Sequence, residues 1–212
     1  MDQHAGNLAN EARYRITAWF YDILDYPWEL QYRKWRPMLL ADVSGNVLEV
    51  GVGTGRNLAH YPASVAHLTA LDFSPAMLQH ARRRAQGAVC PVRFVHDDVC
   101  TMASIADASF DWVVACFLCC VLPADLQDQA LGQIARVLKP GGRFCLLEMV
   151  YSQDPLLRRR QDRFAPFVER VYGARFDRNT LEHAKTTPGL TVTGTRFIKQ
   201  DTYLLINGVR NA

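Results

Sequence analysis

Glu49-Val50-Gly51-Val52-Gly53-Thr54-Gly55 is a glycine-rich turn that follows the apolar run starting at Val47 and leads into a stretch of helical character. Glycines are needed where the backbone takes positive φ or lets a ligand approach closely. Such a turn, at the carboxyl end of the first strand of a doubly wound sheet, is where these folds bind ligands. Downstream, short apolar runs alternate with longer amphipathic ones, the pattern of a mostly parallel sheet with helices on both faces. Strands are expected near 47–51, 67–72, 92–95, 110–117, 143–150, 190–198 and 202–207, and helices near 55–60, 75–86, 124–138 and 158–172. Pro75 after Ser74 suits a first helical turn, and Lys139-Pro140-Gly141-Gly142 is a turn that no helix continues through. The few residues around Lys199 to Asp201 cannot make a parallel crossover, which needs about a dozen, so the last two strands should pair antiparallel. The expected class is α/β: a doubly wound, mostly parallel seven-stranded sheet with its last strand pair antiparallel.

A chain of 212 residues, 49% apolar and 21% charged, has material for one complete α/β domain. A net charge of +3 is too small to imply nucleic acid as a partner. No run approaches the roughly 18 to 20 apolar residues of a membrane span, and Met1 to Glu11 lacks the apolar core of a signal peptide, so a cytoplasmic location is expected. The six cysteines lack the spacing of a disulfide framework and read as reduced thiols. Ile16, Trp19, Phe20, Ile23 and Leu24 recur at helical spacing, as a helix docked on the core or as a lid over the ligand crevice, two compatible readings.

The ligand is read from the turn. Dinucleotide folds use G-x-G-x-x-G to rest a pyrophosphate on a helix N-terminus, and a carboxylate beside that turn would repel it. This chain has G-x-G-x-G with Glu49 two residues upstream. S-adenosylmethionine carries an ammonium and a sulfonium and no phosphate, so an acidic, glycine-lined turn suits it, with NAD the runner-up. Asp72 ends the next strand, where this topology places an acid that accepts ribose hydroxyls; helix capping by Asp72 or Ser74 is the structural alternative. Asp97 and Asp98 end the third strand. Asp98 is placed ahead for the adenine amino group, and the acid that does not touch adenine caps the turn that follows.

"VLEVGVGTGRN", "LDFSPAML", "FVHDDV", "FDWVVACFLCCVLP" and "RVLKPGGRFCLLE" resemble, in order, the successive motifs of the class I S-adenosylmethionine-dependent methyltransferases, a Rossmann-like superfamily. The resemblance implies that Glu49, Gly51, Gly53 and Gly55 hold the methionine end of the donor. It also implies Asp72 on ribose, Phe73 and Met77 beside adenine, Asp98 on its amino group, and the backbone near Cys116 under the donor. Tyr14, Asn57, Asp97 and Val99 complete the candidate cofactor-binding set. The chain is then one methyltransferase domain, 1–212: an N-terminal helical lid at 1–46, a cofactor-binding core at 47–150, and a substrate cover with the C-terminal strand pair at 151–212.

Methyl transfer from a sulfonium is an in-line displacement, so holding donor and acceptor collinear and excluding water supplies most of the acceleration. Tyr14, Tyr21, His96 and His183 are the candidate bases. Tyr21 is preferred as the catalytic residue, although a tyrosine on an amphipathic helix more often packs. Ala115-Cys116-Phe117-Leu118 lacks the Asn-Pro-Pro-Tyr character of base-amine methyltransferases, so nucleic acid is not the expected acceptor. It also lacks the acids of catechol-type metal sites, so no metal is expected. Cys116, Cys119 and Cys120 read as small apolar residues, Cys116 and Cys120 sharing one strand face.

"RYRITAWFYDILD" and "LLEMVYSQDPLLRRRQDRFAPFVERVYGARFDRNTLEHA" resemble a branch containing ubiquinone/menaquinone C-methyltransferases and bacterial phosphatidylethanolamine N-methyltransferases. Membrane-associated animal alkyl-thiol methyltransferases are similar over the same stretches. A small-molecule or lipid acceptor is implied, with phospholipid amine or quinone precursor ahead. An alkyl-thiol S-methyltransferase and a non-catalytic S-adenosylmethionine-binding protein are the alternatives. Seven arginines lie between Leu156 and Arg178, with Phe164, Phe167, Val168 and Val171 at helical spacing. They form either an ordinary surface helix, its arginines solvated or paired with Asp162, Glu169 and Asp177, or a peripheral contact with the inner face of a membrane through segment 156–178.

Overall fold

The computed structural model describes residues 26–212. The chain divides into two compact units, Met1–Asp98 and Val99–Ala212. In chain order the first holds α1 (Tyr26–Leu40), β1 (Gly45–Val50), β2 (Val65–Asp72), α2 (Pro75–Arg84) and β3 (Val92–His96). The second holds β4 (Phe110–Cys116), α3 (Ala124–Val137), β5 (Leu138–Met149), α4 (Pro155–Tyr172), α5 (Thr180–Thr186), β6 (Leu190–Phe197) and β7 (Tyr203–Arg210). The strand order is β3-β2-β1-β4-β5-β7-β6 in one seven-stranded sheet. β1 with β2, β2 with β3 and β4 with β5 are parallel, whereas β7 runs antiparallel to both β5 and β6. The doubly wound order and the antiparallel last pair are as the sequence led us to expect.

In the first unit, Val47, Leu48 and Val50 of β1 and Leu68 and Leu71 of β2 are buried, as near-continuous apolar strands covered on both faces must be. α2 starts where Ser74, in extended conformation, accepts the Met77 N–H on its hydroxyl (3.4 Å), with Pro75 in the first turn. The helix expected near 55–60 is one 3-10 turn, Leu58–His60. The glycine turn occupies the chain up to Gly55, and Pro62 has no N–H with which to continue a helix.

In the second unit, α4 starts three residues before the expected position. The Asp154 carboxylate accepts the Leu156 and Leu157 N–H groups at 2.8 and 3.0 Å, and Pro155 fills the first turn. α3 ends at Val137, but the next residues are not a free turn. Leu138 already pairs with Phe110, and the register then jumps to Trp112 opposite Arg143, so Lys139 to Gly142 bulge out of β5. α5 was not anticipated; its polar sequence lacks an apolar repeat.

Phe144 is the largest fully buried side chain among the described residues, and it lies opposite Gly208 on β7. A Cβ at Gly208 would come within 2.2 Å of the Phe144 ring and 2.5 Å of the Thr191 carbonyl oxygen, so only glycine lets the ring cross this strand. Gly208→Ala is therefore expected to destabilise the protein by about 1 to 3 kcal/mol, the usual cost of overpacking a core, as read by urea unfolding. Unchanged stability would show that β7 does not pack on Phe144 in this way.

Candidate functional site

Three loops meet at the carboxyl ends of β1, β2 and β3 within the first unit. Gly51, Gly53 and Gly55 have φ of 68°, 55° and 81°. A Cβ at Gly55 would lie 2.8 Å from the Ala81 Cα, so glycine lets the turn pack directly on α2. The turn is also tied down by Arg84, whose NH1 donates to the Thr54 carbonyl at 2.7 Å. Around Gly53, by contrast, no atom lies within 4 Å of where a Cβ would stand, which leaves open space beside the turn.

Asp72 links this loop to the next. Its Oδ2 accepts the Gly53 N–H at 2.7 Å and its Oδ1 accepts the Ser74 N–H at 2.9 Å. Ser74 is the cap of α2, so the capping alternative considered for Asp72 belongs to its neighbour. The Phe73 N–H adds a weaker backbone contact, and with about four lone-pair sites the carboxylate keeps capacity for a further donor. Burial pushes the Asp72 carboxyl above its ordinary value, with the Ser74 and Gly53 N–H groups opposing it. At the end of β3, the Asp97 N–H donates to the Asp72 carbonyl at 3.3 Å, and the Asp97 carboxylate accepts the Asp98 N–H at 2.8 Å. Asp97 thus has the local turn role. Phe73 lies beside His96, ring centroids 6.4 Å apart, and the His96 Nε2 is 2.9 Å from the Phe73 carbonyl oxygen. Met77 is buried below.

Behind the glycine turn is a buried polar chain that the sequence had shown only in part. Glu49 Oε1 accepts from Asn57 Nδ2 at 2.7 Å, and Oε2 accepts the Tyr61 hydroxyl at 3.0 Å. Asn57 Oδ1 accepts from Arg36, which in turn grips Glu29 through NH2 at 2.6 Å and Nε at 3.4 Å. Arg56 reaches the same Glu29 at 3.0 Å. Arg36, Glu49, Asn57 and Tyr61 are all buried. Glu29 and Arg36 are seven residues apart, two turns of α1 on one face, and that spacing was the available signal. Burial pushes the Glu49 carboxyl up to about 7, although Asn57, Tyr61 and Arg36 all favour the charged form.

In the second unit, Cys116 ends β4 and Val99 is buried. Cys119 to Val121 form a 3-10 turn rather than more strand, so the expected face-sharing of Cys116 and Cys120 does not hold. Cys119 and Cys120 are instead held by Glu148, whose carboxylate accepts their N–H groups at 2.8 and 2.9 Å. Burial raises the Glu148 carboxyl to about 7, and burial and the Glu148 charge raise both thiols far up, which makes them poor nucleophiles. None of the six cysteines is in a disulfide. The segment 168–176 covers this turn: Val168 and Ala174 pack on Cys120 together with Phe117, Tyr172 and Phe176. His183 pairs with Asp128 at 2.6 Å on the surface. Tyr14, Tyr21 and the periodic residues Ile16 to Leu24 lie outside the described residues.

Glu49 is harder to ionise folded than unfolded. Its contribution to stability is therefore complete below its ordinary value of 4.5 and is lost as pH rises through about 7. Between pH 4 and pH 8 the wild type should lose up to about 3 kcal/mol more than Glu49→Gln, whose amide can still accept from Asn57 and can donate to Tyr61. Denaturant unfolding at the two pH values measures this, and parallel behaviour of both proteins would mean that Glu49 is not buried as a costly charge.

Residues 47–142 match a family model described as a methyltransferase domain. The chain is 40% identical over 135 residues to a demethylmenaquinone methyltransferase of Clavibacter sepedonicus, covering 61% of this chain and 51% of that protein. It is 38% identical over 104 residues to a phosphatidylethanolamine N-methyltransferase of Cereibacter sphaeroides, covering 49% of this chain and 50% of that protein. The chain thus spans about half the length of these curated relatives. The N-methyltransferase NodS of Bradyrhizobium japonicum shares the fold, with TM-score 0.62 and 17% identity over 89% of this chain and 99% of that one. Over the matched segment the chain is therefore similar to methyltransferase domains, and its strand order is that of a doubly wound α/β sheet with an antiparallel last pair.

Proposed function

We propose that the protein transfers a methyl group from S-adenosylmethionine to a small-molecule or lipid acceptor, with a phospholipid amine or a quinone precursor favoured. The observation that carries the donor assignment is the buried carboxylate of Glu49 directly behind a glycine turn with open space at Gly53. An anionic pyrophosphate would meet both Glu49 and Asp72 there, whereas an ammonium is attracted to them. S-adenosylmethionine, when bound, supplies an electrophilic methyl on a positively charged sulfur.

Glu49 and the backbone of Gly51, Gly53 and Gly55 would hold the amino-acid end, with Asn57 fixing the Glu49 carboxylate through its 2.7 Å bond. Asp72 would accept the ribose hydroxyls and Asp98 the adenine amino group, while Asp97 keeps its bond to the Asp98 N–H. Phe73 and Met77 would flank the ring. Tyr14, Val99 and Cys116 remain in the proposed donor set, and Tyr21 remains the proposed base. The chain's own task is mainly to hold donor and acceptor in line and keep water out, because displacement at a sulfonium needs no acid to expel its leaving group. The names of the two relatives support a lipid or quinone acceptor.

Isothermal calorimetry with S-adenosylmethionine and with NAD tests the donor. Wild type should bind the methyl donor and not NAD, and Asp72→Asn should bind it at least about ten-fold more weakly, as when a charged hydrogen-bond partner is lost. Tight binding of NAD alone would overturn the assignment. Radiolabelled methyl transfer to phosphatidylethanolamine, a demethylated quinone or a simple alkyl thiol then separates the acceptors, and turnover of only the soluble thiol would contradict the lipid reading.

A further inference from the structure

We propose that the outward face of α4 is a docking surface for an anionic lipid bilayer. α4 has 18 residues, yet only Val168 among them is fully buried. Its inward stripe is Leu157, Gln161, Val168 and Tyr172, and Gln161 anchors that side by accepting from the Ser152 N–H at 2.8 Å and donating to the Val150 carbonyl at 2.9 Å. A second stripe, at spacings of four, seven, eleven and fourteen residues from Leu156, carries Leu156, Arg160, Arg163, Phe167 and Arg170 and faces away from the first. Leu156 is 72% exposed and Phe167 42%. Arg159 flanks the stripe on one side. On the other is Phe164, 38% exposed, its ring 5.0 Å from that of Phe167.

Charge selects the occupant. The two acids of α4, Asp162 and Glu169, lie off this stripe and are each paired, Asp162 with Arg158 at 3.1 Å and Glu169 with Arg175 at 3.0 Å. Arg158 also stacks over the Tyr151 ring at 3.5 Å, and Arg175 also binds Asp177 at 2.6 Å. Of the arginines between 156 and 178, these two are held locally, whereas Arg159, Arg160, Arg163 and Arg170 make no ion pair with any described residue. Large apolar side chains interleaved with cations and free of acids match a bilayer with anionic headgroups, where the apolar groups insert and the guanidinium groups meet phosphate. No helix among the described residues is long and apolar enough to cross a membrane, so the contact is peripheral.

Co-sedimentation of the full chain with vesicles tests the surface independently of the acceptor assignment, because it reads neither donor binding nor turnover. The protein should pellet with vesicles of phosphatidylcholine and phosphatidylglycerol at low salt, should not pellet with phosphatidylcholine alone, and should be released by about 0.5 M salt. Arg160→Glu with Arg163→Glu, and separately Phe167→Ser with Leu156→Ser, should each reduce partitioning at least ten-fold with unchanged thermal stability and unchanged S-adenosylmethionine affinity. Failure of the wild type to bind anionic vesicles, or equal partitioning of wild type and variants, would overturn the proposal. So would self-association in sedimentation velocity that Phe167→Ser abolishes, since that would make the face an interface between copies of this chain.

Discussion

Everything at the carboxyl edge of the first unit depends on keeping one carboxylate, that of Glu49, buried. A lone carboxylate in a protein interior takes up a proton unless its surroundings replace water. Here Asn57 and Tyr61 supply one donor to each oxygen, and Arg36 sits one step behind, linked through Asn57. Arg36 is in turn paired with Glu29, which also holds Arg56. The result is a chain of alternating charge from α1 to the glycine turn, poised between ionised and neutral near pH 7. In the proposed reading this site receives a cation, because a bound ammonium would supply the counter-charge that the fold itself provides only at a distance.

The second unit uses the same device for a different end. Glu148, the last acid of β5, takes up the two N–H groups of a 3-10 turn that has no ladder partner for them. A carboxylate in that place fixes the turn after β4 and keeps the neighbouring thiols protonated. Cys119 and Cys120 therefore serve the local structure, and Val168, Tyr172, Ala174 and Phe176 pack over Cys120.

The fold was legible because its signals are local and mutually consistent: apolar runs of strand length, Ser74-Pro75 at a helix start, and a last connection too short for a parallel crossover. The glycine turn, Glu49 and Asp72 were legible because backbone conformation and charge at those positions restrict the residue type. Less could be read where the determinant is tertiary. Tyr61 and Arg36 are ordinary residues of ordinary segments until folding places them on Glu49 and Asn57, and a tyrosine or an arginine alone does not announce a buried partner. At Lys139 to Gly142 only the end of the helix was legible, because proline and glycine mark a break without saying that the flanking residues rejoin a sheet. The arginine-rich helix was ambiguous in one dimension, since only the wheel of exposed and paired residues in three dimensions separates the locally held arginines from the four that face outward.

The most direct measurement of the central claim is the proton balance of donor binding. Calorimetric titrations with S-adenosylmethionine in buffers of different ionisation enthalpy give the number of protons exchanged at each pH. If Glu49 has a free value near 7 and must be ionised to hold the ammonium, wild type should release roughly one more proton than Glu49→Gln at pH 6, and the difference should vanish by about pH 8.5. Identical proton balances for the two proteins across that range would show that the buried acid does not receive the donor's charge.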